Sequence, residues 1–195
     1  MTSGTQNLIR CFGDKPNQIL YADYHDNEWG RPIFDDRMLF ELLILEGAQA
    51  GLSWYTILQR RSDYKKAFSN FDPHRVAVLT DRELEELCTN SNIIRHRLKI
   101  FSVRANARVF LTIQQEYGSF AKYVWDFVNN TPIINVWKSV YEIPSCTDQS
   151  TKLSKELKKR GMTFVGPKIM YAYMQAIGMV NDHLIHCWLH AKDLK

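Results

Sequence analysis

The chain has 195 residues, 45% of them hydrophobic and 24% charged, and its 25 Lys and Arg exceed its 21 Asp and Glu for a net charge of +4. This composition excludes a disordered chain and a disulfide-dense secreted scaffold, and the length fits one sizeable domain or two small ones, able to bury a core, with a single domain over 1–195 expected. No apolar run is long enough to span a bilayer and no signal-peptide pattern opens the sequence, so a protein with no membrane partner, acting in the cytoplasm, is expected. Cys11, Cys88, Cys146 and Cys187 are then expected as reduced thiols or metal ligands. The Asn129-Asn130-Thr131 sequon is discounted on the same ground. A charge of +4 is too mild to prove a nucleic-acid partner, and the distribution of charge matters more.

The polar arm from Met1 to about Leu8 is expected to be mobile. Residues Arg10–Gly30 read as a loop, from Gly13, Pro16, Asn17 and the Asn27–Gly30 run. That loop nevertheless holds Phe12, Tyr21, Tyr24 and Trp29, which either pack over a core or line a pocket, and it holds Cys11 and His25 as well. Asp35-Asp36 signals the start of a helix. Within it Leu39, Leu42 and Leu43 recur at helical spacing, and the next position on their face is Glu46. A carboxylate placed where an apolar residue is due must be paired, raised in pKa, or reserved for a ligand. Gly47 and Gly51 bracket the segment that follows, and Trp54 offers a flat face just beyond. Glu46 either caps a neighbour beside a core tryptophan, or serves as the acceptor for a flat, cationic or hydrogen-bond-donating ring.

The remainder reads as mostly α. Helices are predicted over Trp54–Ser69, over His74–Leu79 with Pro73 at the first position, and through Cys88 behind a Thr80–Glu83 capping box. Ile93–Tyr117 is a helical region made basic by Arg95, Arg97, Lys99, Arg104 and Arg108. Ser119–Val128 is an aromatic helix and Thr131–Ser150 reads as irregular. From Lys152 to Lys168 there are six Lys or Arg (Lys152, Lys155, Lys158, Lys159, Arg160, Lys168) against the single acid Glu156. The turn Gly161–Pro167 and the helix Ile169–Ile177 complete a helix, hairpin and helix. Exposed amides there suit phosphate oxygens, and lysines add affinity without base preference. A solvated basic face on a helix connection is the competing reading.

His183 and Cys187 stand at i and i+4, on one face of a predicted last helix, with His186 as a competitor. Cys11 and His25 lie 14 positions apart at the other end. Two Cys and two His make a closed tetrahedral zinc site, although each also has ordinary structural uses.

Taken together the sequence resembles the bacterial 3-methyladenine DNA glycosylase I family of the helix-hairpin-helix superfamily. The resemblance runs from Arg10-Cys11 to Cys187. It is carried by Tyr24–Gly30, Leu45-Glu46-Gly47, Gln49–Trp54, Ile93–Arg97 with Lys99, Phe164-Val165-Gly166, Met174-Gln175-Ala176 and Asn181-Asp182-His183. It implies an all-α fold, a structural zinc held by Cys11, His25, His183 and Cys187, and Glu46 as the contact to the methylated adenine. Tyr24 and Trp54 match hydrogen-bonding and stacking partners, and Tyr21 and Trp29 match further aromatic walls. Leu52, beside Gly51, matches the residue that plugs the gap left by an extruded nucleotide. Val165, Gly166 and Lys168 match the hairpin's DNA contacts. In one departure, Gly13 stands where the family has a tryptophan, with Phe12 beside it as a substitute.

The activity so implied is monofunctional excision of 3-methyladenine from alkylated double-stranded DNA in base excision repair, by a monomer acting at the bacterial nucleoid. A cationic base leaves readily, so a carboxylate in an aromatic pocket supplies selectivity with little further machinery. Asp182, next to His183, is read as structural, and no lysine is placed for Schiff-base chemistry. The alternative is a non-catalytic lesion-binding module on the same scaffold. A small-molecule purine binder is disfavoured by the Lys152–Lys168 run.

Overall fold

The computed structural model describes residues 8–190, so the expected mobility of the arm falls outside them apart from Leu8. Among the described residues the chain is built from nine α-helices and two two-residue strands. The organising element is α2 (Asp36–Gln49), in which every residue from Leu39 to Ala48 is buried. A helix buried all round needs neighbours on every side. It packs against α3 (Trp54–Ala67), α6 (Arg97–Tyr117), α7 (Phe120–Trp125) and α9 (Pro167–Ala176).

Local signals set most boundaries. The Asp35 side chain accepts from the Met38 amide and opens α2. Ser53 caps α3, Asp72 with Pro73 opens α4 (Pro73–Ala77), and Thr80 with Glu83 forms the predicted capping box of α5 (Asp81–Thr89). Gly118, at φ +84, closes α6 in the left-handed conformation that other residues resist. Asp36 reaches from α2 to α7, accepting from the amides of Phe120 and Ala121 at 2.8 Å each and from Gln114 at 2.6 Å.

Three expectations need correction. The Arg10–Gly30 segment contains α1 (Ile19–Asn27), which exposes Ile19 and Leu20 while burying Tyr24 and His25. The Thr131–Ser150 segment holds strand β1 (Ile133–Ile134), parallel to β2 (Val180–Asn181), and the first turn of α8 (Asp148–Lys159) behind a Thr147–Ser150 capping box. Residues 182–190 form turns, not a last helix, with the Cys187 amide bonded to Leu184 and that of His190 to Cys187. In the Lys152–Ile177 region, helix α8 is joined to α9 by residues 160–166. Gly161, at φ +103, lets the Met162 amide reach the Leu157 carbonyl and end α8. No helix among the described residues is long and apolar enough to cross a membrane.

Candidate active site

Glu46 lies in the last turns of α2 and is 4% exposed. Among the described residues its Oε2 has no hydrogen-bond partner, and neither has the buried Nε1 of Trp54, the first residue of α3. Both border a cleft of about 180 Å³ lined by Phe12, Tyr21, Tyr24, Trp29, Glu46, Gln49, Trp54, Ala172 and Gln175. Its walls come from six places in the chain, with Trp29 just after α1 and Trp54 at the start of α3. Tyr21 and Tyr24 are one turn apart on α1, Glu46 and Gln49 one turn apart on α2, Ala172 and Gln175 one turn apart on α9, and Phe12 comes from the segment before α1. The Tyr24 and Trp54 rings lie 5.4 Å apart, and Phe12 stands 4.5 Å from Tyr21 and 5.0 Å, edge on, from Trp29.

Burial alone pushes the Glu46 carboxyl up to about 8. Burial, and then the charge of Glu46, also hold the Tyr21 and Tyr24 phenols above their ordinary range, so they remain protonated. The cleft thus offers aromatic walls and one acceptor whose ionised form lacks a partner among the described residues. A cationic ring, or one donating an N–H, supplies what Glu46 lacks.

All five pocket residues read from the sequence meet here. Phe12 joins them, while Gly13 points elsewhere. At φ +85, its missing Cβ would lie 2.8 Å from the Cα and N of Ala22. No side chain fits at position 13 on this path, so its neighbour supplies the wall. The sequence reading missed Gln49 and Gln175. Gln49 was legible in principle, since i+3 from Glu46 shares its face. Gln175 had no such signal. Its amide is held at 2.7 Å by Asp182, which is fully buried and also accepts from Asn135, Trp137 and Tyr171 at 2.6–2.7 Å.

A second cluster sits directly behind the aromatic wall. One ligand-type atom each from Cys11, His25, His183 and Cys187 lies within 4.8 Å of all the others. The Cys187 sulfur is 3.4 Å from His25 Nε2 and 3.5 Å from His183 Nδ1, and the Cys11 sulfur is 3.6 Å from His183 Nδ1. Tetrahedral bonds of the usual zinc–sulfur and zinc–nitrogen lengths place sulfur and nitrogen roughly 3.5 Å apart. The remaining ring nitrogens are occupied, His25 Nδ1 by Asp26 at 2.8 Å and His183 Nε2 by the Trp29 carbonyl at 3.2 Å. The nitrogens that face the sulfurs are His183 Nδ1 and His25 Nε2, the latter also approached by the Cys11 amide at 3.3 Å. Burial pushes the Asp26 carboxyl up, but hydrogen bonds from Arg10, His25 and Trp188 outweigh it and hold it at about 2. His186 is exposed, and Cys88 and Cys146 stand outside the cluster.

The residues assigned to DNA divide. Gly51 and Leu52, 40% exposed, form the turn between α2 and α3, and Lys168 is exposed on the first turn of α9. The Val165 side chain is fully buried, so the hairpin offers backbone at that position. Phe164, Val165 and Gly166 donate no backbone hydrogen bond to any described residue. Much of the basic charge is consumed internally. Arg97 pairs with Glu85, Arg104 holds Leu79 and Asp81, and Arg108 holds the Ala77 carbonyl. Arg160 pairs with Glu116 and lies over Tyr117 and Tyr123. Lys152, Lys155, Lys158 and Lys159 stay exposed along α8.

Fold and cleft together define a mostly helical protein with an aromatic cleft bordered by a buried carboxylate that lacks a partner among the described residues. Residues 15–190 match the family model described as methyladenine glycosylase. The DNA-3-methyladenine glycosylase 1 of Escherichia coli (strain K12) is 48% identical over 180 residues, which cover 92% of this chain and 96% of that protein. The 3-methyladenine DNA glycosylase I of Staphylococcus aureus superposes with a TM-score of 0.90 at 37% identity, over 94% of this chain and 97% of that one. A variant of 3-methyladenine DNA glycosylase I in complex with 3-methyladenine gives 0.87 at 38% identity, over 89% and 94%. The chain belongs to the methyladenine glycosylase family.

Proposed function

We propose that the protein is a monofunctional DNA glycosylase that excises 3-methyladenine from alkylated double-stranded DNA, acting as a monomer at the bacterial nucleoid. The observation that carries this reading is the partnerless Oε2 of Glu46, buried against the aromatic cleft. Extruding a nucleotide costs a few kcal/mol, and less for a damaged base. Trp54 receives the ring on its face, Tyr24 stands beside it as a hydrogen-bonding partner, and Phe12, Tyr21 and Trp29 close the sides and exclude water. Glu46 accepts from the ring or its amino group, and its ionised form favours a cationic purine over a neutral one. The bond to a cationic base is already weak, so the site's task is capture and exclusion, and water completes displacement at the sugar. The four donors on Asp182 support a scaffold role and leave it outside the reacting set.

In the same reading Leu52 fills the gap left in the stack, and the 164–166 amides with Lys168 grip phosphates as a helix-hairpin-helix. Cys11, His25, His183 and Cys187 hold a structural zinc that joins the two ends of the chain. The donor set, the spacing of about 3.5 Å and the occupied second ring nitrogens support zinc. Such an ion supplies cohesion, fixing Phe12 and Tyr24, each next in sequence to a ligand. Elemental analysis should find about one zinc per chain, lost in Cys187→Ala; metal-free native protein would remove the claim. For the reaction, methylated duplex DNA is incubated with the protein and free bases are separated by chromatography. Release of 3-methyladenine without 7-methylguanine is expected. DNA binding with no base released would leave the non-catalytic reading.

A further inference from the structure

Lys99 and Asn106 lie seven residues apart, two turns along one face of α6. Both are buried, at 9% and 3% exposure, and both spend their polar groups on other segments. The Lys99 ammonium donates to the carbonyls of Ala48 and Ala50, at 2.9 and 2.6 Å, where α2 ends. Asn106 donates to the Thr163 carbonyl and accepts from the Thr163 amide, both at 2.9 Å. The first pair of bonds fixes the base of the Gly51-Leu52 turn, and the second fixes the start of the hairpin. The same junction closes between the two segments. A Cβ on Gly47 would stand 3.4 Å from the Cβ and the carbonyl oxygen of Phe164, and Phe164 holds φ +56.

Burial lowers the pKa of Lys99, which makes no ion pair with any described residue. An ammonium kept inside a fold is costly, and an apolar residue would pack there at less cost. The negative end of α2 offsets part of that cost, but only while the two carbonyls stay in place. This is a device for holding backbone at a set position.

On the reading of the chain as a DNA glycosylase, we infer that Lys99 and Asn106 are positioning residues that fix the Gly51-Leu52 turn and the 163–166 hairpin relative to each other. Extrusion from a duplex needs the backbone grip and the inserted side chain to act on the same nucleotide. With the two turns held on one rigid helix, that register exists before DNA binds. A side chain misplaced by about 1 Å lowers rate on the order of 10²-fold. A base already unstacked makes no such demand.

The test compares Lys99→Met and Asn106→Ala with wild type on methylated DNA, once as duplex and once denatured to single strands. Binding of free 3-methyladenine is followed in parallel by quenching of tryptophan fluorescence. Release from duplex should fall on the order of 10²-fold, release from single strands should stay within about tenfold of wild type, and free-base affinity should be unchanged. Equal loss on both DNAs, loss of free-base binding, or no loss on duplex overturns the inference. Should Lys99→Met fail to fold, Asn106→Ala carries the same comparison. A wild-type protein that releases no base overturns the glycosylase reading instead, before any variant is made.

Discussion

Asp182 and Glu46 are both buried carboxylates, and their surroundings differ in kind. Asp182, behind the cleft, accepts hydrogen bonds from Asn135, Trp137, Tyr171 and Gln175. Glu46, at the cleft, leaves Oε2 without any, and burial pushes its carboxyl up to about 8. The first is a junction that ties strand β2, α9 and the segment after β1 together. The second, on the proposed reading, is a site whose missing partner is a ligand. Burial of a charge alone separates neither case, and the count of donors does.

Substitution should separate them in opposite directions. Asp182→Ala strands four donors, one of which orients Gln175 at the cleft, and should lower stability by more than about 3 kcal/mol in denaturant unfolding. A loss below 1 kcal/mol would show that the junction is not a support. Glu46→Gln should instead stabilise. The folded pKa of Glu46 is raised, so its neutral form is the one the fold prefers. Stability from this group is fully present below its ordinary value of 4.5 and declines as pH rises to about 8. Unfolding midpoints of Glu46→Gln should therefore draw ahead of wild type across that window and hold a constant lead above it, a few kcal/mol at most. Parallel profiles at every pH would place Glu46 in a solvated setting. The smallest effect is expected for Phe12→Ala, which removes one wall and should weaken base binding by about 1 kcal/mol in fluorescence titration. Unaltered affinity would mean that Phe12 only covers the Cys/His cluster.

The sequence made the interior of the fold legible where the signals are local. Asp35 and the Thr80–Glu83 box mark helix starts because a cap acts within four residues. Glu46 stood out because it breaks the face of Leu39, Leu42 and Leu43. Helix α1 was hidden because Tyr24 and His25 are adjacent yet both buried, one toward the cleft and one toward the Cys/His cluster, so no single apolar stripe exists. The i,i+4 spacing of His183 and Cys187 suggested a helix, but turns bring them together, because convergence on Cys11 and His25 decides the path there. The basic runs overstated the free positive charge. The partners of Arg97 and Arg160 lie 12 and 44 residues away, beyond the reach of local pattern. The role of Gly13 was likewise set by α1, whose backbone occupies the space its side chain would need.

Titration of free 3-methyladenine into wild type and Glu46→Gln, followed by tryptophan fluorescence, tests the central claim most directly. A partnerless carboxylate that accepts from the base predicts saturable quenching in wild type and an affinity lower on the order of 10–100-fold in the variant. Equal affinity in the two proteins, with the fold intact, would contradict Glu46 as the recognition element.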